Sequence, residues 1–359
     1  MFGIRSFISK NRCLSRDSRK KIRQRSLLQS NNSMAIHILL IAFAWCVISL
    51  PLVMRVAVRW NLFDPLGPLK LHTRRISRIG GIAVTSAVAV SLLASGTFHA
   101  VKYLLAALFL IWVTGMIDDL RGLSAVLRLM AQTIAALVLC WGSDLTLPLF
   151  EKRPLGWIFA AVFVVTLINA FNLLDGADGV AAGVAAIIAA GYLALGEPSG
   201  VSQASSAALL GSCLGFLVFN FPPAKIFLGD SGSTALGLII AFIGLALRQS
   251  SPVMSVGIFV STIFAGLPLL DLVLAIFRRL RSGGSPLAGD RRHFYDLLLQ
   301  RGWSPRKVAL STYAITAGFV LVGLKSSQSS PVGAACLVLL AAIPFLFVAV
   351  HLGALRPAV

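Results

Sequence analysis

Long apolar runs follow one another along this chain, separated by short polar or glycine-containing breaks. Taken in order they predict helices near residues 35–54, 79–97, 100–117, 125–141, 155–171, 179–196, 205–221, 233–247, 254–276, 307–325 and 331–350. A membrane crossing needs roughly 20 mostly apolar residues for about 30 Å of hydrocarbon. The pattern therefore predicts an all-α, polytopic membrane protein of about eleven transmembrane helices. The 179–196 run is rich in Ala and Gly, which suits a helix packed closely on its neighbours. Composition agrees: 57% of residues are hydrophobic and 13% charged, and the mean hydropathy is +0.86. Such values lie far from the balance of a soluble domain.

Charge sets the orientation, because short loops rich in Lys and Arg stay in the cytoplasm. The connection after the first run carries Arg55, Arg59, Lys70, Arg74, Arg75 and Arg78; the one after the ninth carries Arg278, Arg279, Arg281, Arg291, Arg292, Arg301, Arg306 and Lys307. In an alternating path both lie on one side, which is read as cytoplasmic. The opposite loops hold only Lys102, Lys152, Arg153, Arg248 and Lys325. Residues 1–33 are strongly basic, yet parity places them outside. They read as an N-terminal extension, either disordered near anionic lipid or a mis-assigned start with Met34 as the true first residue, ahead of a single membrane domain at 34–359. Aromatic residues are sparse in that tail, so it predicts no nucleic-acid partner. The cysteines, Cys13, Cys46, Cys140, Cys213 and Cys336, have no C-x-x-C spacing and suggest neither disulfides nor zinc.

The acids are few, 13 Asp and Glu in all, and they are not scattered. "GMIDDLRGL" sets Asp118 and Asp119 at the exit of the third run, "NAFNLLDGADGVAAG" sets Asp175 and Asp178 after the fifth, and "AKIFLGDSGSTALG" sets Asp230 after the seventh. Parity places all of them on the cytoplasmic face. Taken alone, each has an ordinary explanation as a helix cap or a glycine turn. Together they are harder to explain, since neighbouring carboxylates repel and are relieved by a divalent cation. Asn169 and Asn172, one turn apart at the end of a span, add amides where hydrocarbon is expected. An oxygen-only set of Asp and Asn suits magnesium, with manganese as a substitute, and does not suit zinc. "DGADG" lacks the third acid and closing Glu of a calcium loop. "GDSG" stands without a catalytic triad, so it reads instead as a glycine-rich turn opening a helix, where backbone N–H groups favour phosphate. Lys70, His72, Arg291, Arg292 and His293 are the loop residues available to a diphosphate or sugar.

These motifs, with "KLHTRRISRIGGIAV" before them and "GSPLAGDRRHFYDLL" after, resemble in their order the polyprenyl-phosphate N-acetylhexosamine-1-phosphate transferases, the glycosyltransferase family 4 enzymes. That superfamily includes the phospho-N-acetylmuramoyl-pentapeptide transferase, and the resemblance covers roughly residues 35–325. It implies a magnesium-dependent enzyme of the bacterial inner membrane with a cytoplasmic active site. Such an enzyme moves a sugar 1-phosphate from a UDP-sugar to undecaprenyl or another polyprenyl phosphate and releases UMP, initiating cell-envelope polysaccharide synthesis; a homodimer is compatible with it. By the same resemblance Asp118 and Asp119 are catalytic, Asn172 and Asp230 hold the metal, and Asp175, Asp178, Asn169, Lys70, His72, Arg291, Arg292 and His293 contact substrate. One departure stands out. The family's last motif commonly ends His-x-His-His, whereas this chain reads His293, Phe294, Tyr295, Asp296. The run of histidines usual in the pentapeptide transferase is missing too, which disfavours muramoyl-pentapeptide transfer; the exact sugar stays open, with UDP-N-acetylglucosamine as the default donor and a deoxy or epimeric N-acetylhexosamine as the alternative. Two other classes compete. A cation-coupled transporter would place its acids near the bilayer midplane in repeated halves, and a non-catalytic scaffold would have lost the aspartate pair.

Overall fold

The computed structural model describes residues 16–63, 76–147, 153–196, 200–247, 256–287, 289–329 and 331–356. Those residues form thirteen helices and no strand. In chain order they are α1 (Arg16–Arg59), α2 (Gly81–Ala94), α3 (Phe98–Arg121), α4 (Ala125–Gly142), α5 (Arg153–Leu174), α6 (Val180–Ala194) and α7 (Gly200–Asn220). There follow α8 (Asp230–Leu247), α9 (Val256–Phe264), α10 (Gly266–Arg281), α11 (Phe294–Gln300), α12 (Pro305–Ser326) and α13 (Pro331–His351).

Each predicted run contains a helix, but not every run is one straight crossing. Eight helices are long and apolar enough to span a membrane, or nine with a bent pair counted as one span. The expected ninth span is that pair, α9 and α10, which meet at 76°. Pro268 has no N–H to donate to the Phe264 carbonyl one turn back, so the helix cannot run straight through this point. The second and sixth runs are shorter than expected. α2 and α6 have 14 and 15 residues, about 21 and 22 Å at the usual rise. Of the extension before Met34, read as disordered or as a mis-assigned start, the described part from Arg16 is helical and forms the first stretch of α1. Its Arg, Lys, Gln and Leu residues favour helix, and it holds neither Gly nor Pro before Pro51.

The centre of the molecule is α8, whose most apolar window is 94% buried. It packs on α2, α3, α5, α6, α7 and α9, while α1 lies along α7 and α12 along α6. Large apolar side chains turned outward, among them Ile48, Trp141, Val162, Leu340 and Phe347, form the surface a bilayer requires. The protein is thus a polytopic membrane protein. Local turns then fix where the polar motifs fall. α3 stops at Gly122, whose φ of 74° few other residues adopt. Ser124 caps α4 by accepting from the Leu127 N–H. The reversal is tight and leaves Asp118 and Asp119 in the last turn of α3.

Candidate active site

The segment before α8 is stitched to the segment before α2. Phe227 N donates to Ser77 O at 2.7 Å, Gly80 N to Phe227 O at 3.0 Å, and Gly81 N to Leu228 O at 2.8 Å. A side chain on Gly81 would strike the backbone of Gly232, so the "RIGG" and "GDSG" glycines serve close backbone contact. This holds the start of α8 against the end of α3. Asp119 then caps α8 from another helix: Oδ1 accepts from Asp230 N at 2.8 Å and Oδ2 from Ser231 N at 3.1 Å. Of the amides read from the sequence as a phosphate cradle, that of Ser231 is occupied by this carboxylate, while those of Gly232 and Ser233 donate to Gly229 O.

Three further groups converge on the same point. From α5, Asn172 Nδ2 donates to Asp230 Oδ1 at 2.7 Å and to Ser233 Oγ at 3.2 Å. From the last turn of α3, Asp118 Oδ1 accepts from Leu123 N at 2.5 Å. Its Oδ2 pairs with Arg128 Nη1 at 3.2 Å, and the same nitrogen lies 3.9 Å from Asp230 Oδ2. Asp175, half-buried just beyond α5, receives the Gly229 N–H. Its carboxyl is pushed up to about 8 by burial and then by Asp230, with Asp119 adding to the rise and Arg78 opposing it. A carboxyl titrating near neutral pH is what proton transfer or cation capture calls for. Asp118, Asp119, Asp175 and Asp230 all stand at helix ends rather than mid-span, which is not the placement expected of a transporter.

The last motif builds a different structure. Asp290 accepts from Arg278 Nε at 2.7 Å and Arg279 Nη2 at 3.1 Å. Burial would raise its carboxyl, but these two guanidiniums outweigh it and hold it below the usual range. His293, 3% exposed, lies between Asp271 (Nδ1 to Oδ2, 2.7 Å) and Asp290 (Nε2 to Oδ1, 3.4 Å). Burial alone would depress the imidazole, yet Asp271 first and then Asp296 and Asp290 raise it. Tyr295, stacked on His293, donates its hydroxyl to Leu173 O at 3.1 Å. A side chain on Gly176 would overlap that hydroxyl, so α11 is pressed onto the loop that carries Asp175.

Set against the sequence reading, Asp118, Asp119, Asn172, Asp175 and Asp230 are brought together. Four expected substrate contacts are placed otherwise. Asn169 spends its amide nitrogen on Gln132 Oε1 at 2.7 Å and Val165 O at 2.8 Å, joining α5 to α4. Asp178 accepts from Ala224 N at 2.9 Å and secures the turn after α7. His293 is buried in the carboxylate network, where Asp271 and Asp290 supply the partners that a buried imidazole requires. Arg291 lies 3.7 Å from Asp296. Arg292 is half exposed and has no ion-pair partner among the described residues. Lys70 and His72 lie outside the described residues. Sequence reasoning missed Arg128, Arg78, Gln132, Asn220 and Asp271. Asn220, whose Oδ1 accepts from Gly179 N at 2.9 Å, Asp271, an acid within "GLPLLDLVL", and Arg128, a charge within "SAVLRLMAQ", carried the signal of a polar group in an apolar run.

The donor set fits a hard divalent ion, being made of carboxylate and amide oxygens. Among the described residues no three His, Cys, Asp or Glu side chains close into a ready-made metal site. Magnesium suits such an arrangement, since it takes one or two protein carboxylates and completes its shell with water and substrate phosphate.

Comparison with known proteins agrees with this architecture. Residues 101–248 match the family model described as glycosyl transferase family 4. The chain is 33% identical over 283 residues to the probable undecaprenyl-phosphate N-acetylglucosaminyl 1-phosphate transferase of Bacillus subtilis (strain 168), an alignment covering 75% of this chain and 78% of that protein. It is 36% identical over 249 residues to the decaprenyl-phosphate N-acetylglucosaminephosphotransferase of Mycobacterium leprae (strain TN), covering 59% of this chain and 61% of that one. With the phospho-N-acetylmuramoyl-pentapeptide-transferase of Moorella thermoacetica it shares 37% identity over 212 residues, 56% of this chain and 64% of that protein. The chain belongs to glycosyl transferase family 4 and is a membrane-embedded transferase.

Proposed function

We propose that this enzyme transfers N-acetylglucosamine 1-phosphate from its UDP derivative to undecaprenyl phosphate, releasing UMP at the cytoplasmic face of the bacterial plasma membrane. The observation that carries the reading is the meeting of Asp118, Asp119, Asn172, Asp175 and Asp230, from three separate motifs, at the ends of α3, α5 and α8. An oxygen of the lipid phosphate bonds to the β-phosphorus of the donor as the bond from that phosphorus to the bridging oxygen breaks, and UMP leaves with the electron pair. Several negative charges meet in this step, so catalysis consists of neutralising and aligning them.

Asp118 and Asp230 are the carboxylates that would hold magnesium or manganese, with Asn172 orienting Asp230. The ion, when bound, supplies positive charge to the phosphate oxygens. Asp119 fixes the turn on which Asp230 stands. The half-exposed Arg292 is a cation available to the diphosphate. A site at helix ends suits a lipid-borne acceptor, which reaches it from within the bilayer. The names of the relatives support the sugar and the polyprenyl acceptor, and the altered ending at Tyr295 and Asp296 supports an N-acetylhexosamine over the muramoyl-pentapeptide.

The test is UMP release by purified protein in lipid with undecaprenyl phosphate, offering UDP-N-acetylglucosamine, its epimeric and deoxy relatives, and UDP-N-acetylmuramoyl-pentapeptide, with and without magnesium. Magnesium-dependent release from UDP-N-acetylglucosamine, lost in Asp230→Asn, is expected. Release from the pentapeptide donor alone, or from none by folded protein, overturns the proposal.

A further inference from the structure

Arg128 is the group in the cluster that the reaction as written leaves without a task. It belongs to α4, and its side chain is 37% exposed. Asp118 and Asp230 are neighbours, each within 4 Å of Arg128 Nη1. Asp118 Oδ1 is engaged by Leu123 N and Asp230 Oδ1 by Asn172. The remaining oxygen of each, Oδ2, faces one and the same nitrogen, Arg128 Nη1, at 3.2 and 3.9 Å. A single positive charge thus bridges the two carboxylates through the oxygens that backbone and amide donors leave open. Two like charges in contact need such a counter-ion.

We infer that Arg128 is an exchangeable counter-ion: it bridges Asp118 and Asp230 and gives up that position when a divalent ion binds. This rests on the proposed metal-dependent reading of the site. A divalent ion seated between the two Oδ2 atoms would stand where Nη1 stands, at a distance where two cations repel strongly, so the guanidinium must draw back when the ion enters. Arg128 is able to leave, since it sits at the start of α4 and is partly in water, whereas Asp118 and Asp230 are held by their other bonds. The exchange keeps both carboxylates charged and correctly spaced before the ion arrives. It also implies a measurable competition: every ion bound displaces an ion pair of the modest strength usual for partly exposed groups.

The test measures Mn2+ binding by electron paramagnetic resonance on the full-length protein in lipid nanodiscs, without nucleotide or lipid acceptor. Arg128→Gln is expected to bind Mn2+ roughly threefold to fivefold more tightly than the wild type. Arg128→Lys, which keeps the charge, is expected to stay within about twofold of it. Asp230→Asn, which removes one of the two carboxylates, is expected to weaken binding. Unchanged or weaker Mn2+ binding in Arg128→Gln overturns the inference, as does a wild type that binds no Mn2+. The parallel UMP-release assay separates the two readings. Turnover with unchanged Mn2+ affinity in Arg128→Gln would reject the counter-ion role and leave the transferase standing. Tightened Mn2+ binding without turnover from any donor would do the reverse.

Discussion

Both carboxylate oxygens of Asp119 are occupied by the Asp230 and Ser231 amides, while Asp118 pairs with a partly exposed arginine. The adjacent acids therefore have unlike work: one holds a helix start, the other is open to exchange. Asp119→Ala should cost about 0.5–2 kcal/mol of stability, as lost caps do. Asp118→Asn should shift stability by less than about 1 kcal/mol yet reduce UMP release at least on the order of a hundredfold, as removal of a transition-state electrostatic group does. Thermal unfolding alongside turnover distinguishes them, and equal loss of stability in both variants would refute this division. The second prediction concerns His293. Its pKa is raised above the ordinary value of 6.5 in the folded protein, so folding favours its protonated form. That stability is fully present below about pH 6.5 and is lost as pH rises through the folded-state value. The wild-type melting temperature should accordingly fall over that window, and His293→Gln should flatten the slope. A slope that persists in the variant would assign it to another group. For Asp290 the sign is opposite, since a depressed carboxyl gives stability that fails only as pH falls below the usual carboxylate range.

Helices meet at glycines wherever the site demands close approach. A side chain on Gly115 of α3 would run into the backbone of Asp230 and Ser231 at the start of α8. The obstacle is main chain, so no rotamer change relieves it. Gly115→Val should destabilise the protein by about 1–3 kcal/mol through overpacking and cut turnover at least on the order of tenfold by displacing Asp119 from the turn it caps. Gly318→Val on α12, where nothing lies within 4 Å of an added Cβ, is the control and should leave both unchanged. Hydropathy made the helices legible, because each apolar run is long and is closed by glycine or polar residues. It did not reveal the bend between α9 and α10, since an apolar run reads the same whether straight or broken; only Gly266 and Pro268 hinted at it. The motif acids were legible as a cluster for the same reason, being polar in a greasy chain. Which of them face one another was not, because Asp119 and Asp230 are 111 residues apart. Nor does local pattern show that His293 points inward to Asp271 rather than outward to substrate.

Across the whole molecule, the chain's direction fixes two ends. α3 runs from His99 toward the aspartate pair and α4 returns to Asp144, so those two exposed positions lie at the end opposite the acids. The basic residues divide unevenly between the ends. Arg278 and Arg279 are buried against Asp290 and count little as topological signals, but Arg55, Arg59, Arg121, Arg281, Arg292, Arg301, Arg306 and Lys307 remain at the acid end. The far end holds Lys102, Arg153 and Lys325. The basic stretch of α1 from Arg16 runs against this bias, as Ser33 lies beside Ala94 and Ser95 at the far end. The connections between crossings carry most of their basic residues at the acid end, and that bias predicts that the acid end faces the cytoplasm. Reporter cysteines in a chain whose own five cysteines are replaced by serine or alanine put this to measurement. In intact cells a membrane-impermeant maleimide should label His99→Cys and Asp144→Cys but leave Ser285→Cys, in the exposed loop between α10 and α11, unlabelled until the membrane is permeabilised. The opposite pattern would place the site outside, away from any cytosolic pool of nucleotide-activated sugar, and would force a different donor on the reaction even if every distance in the cluster were correct.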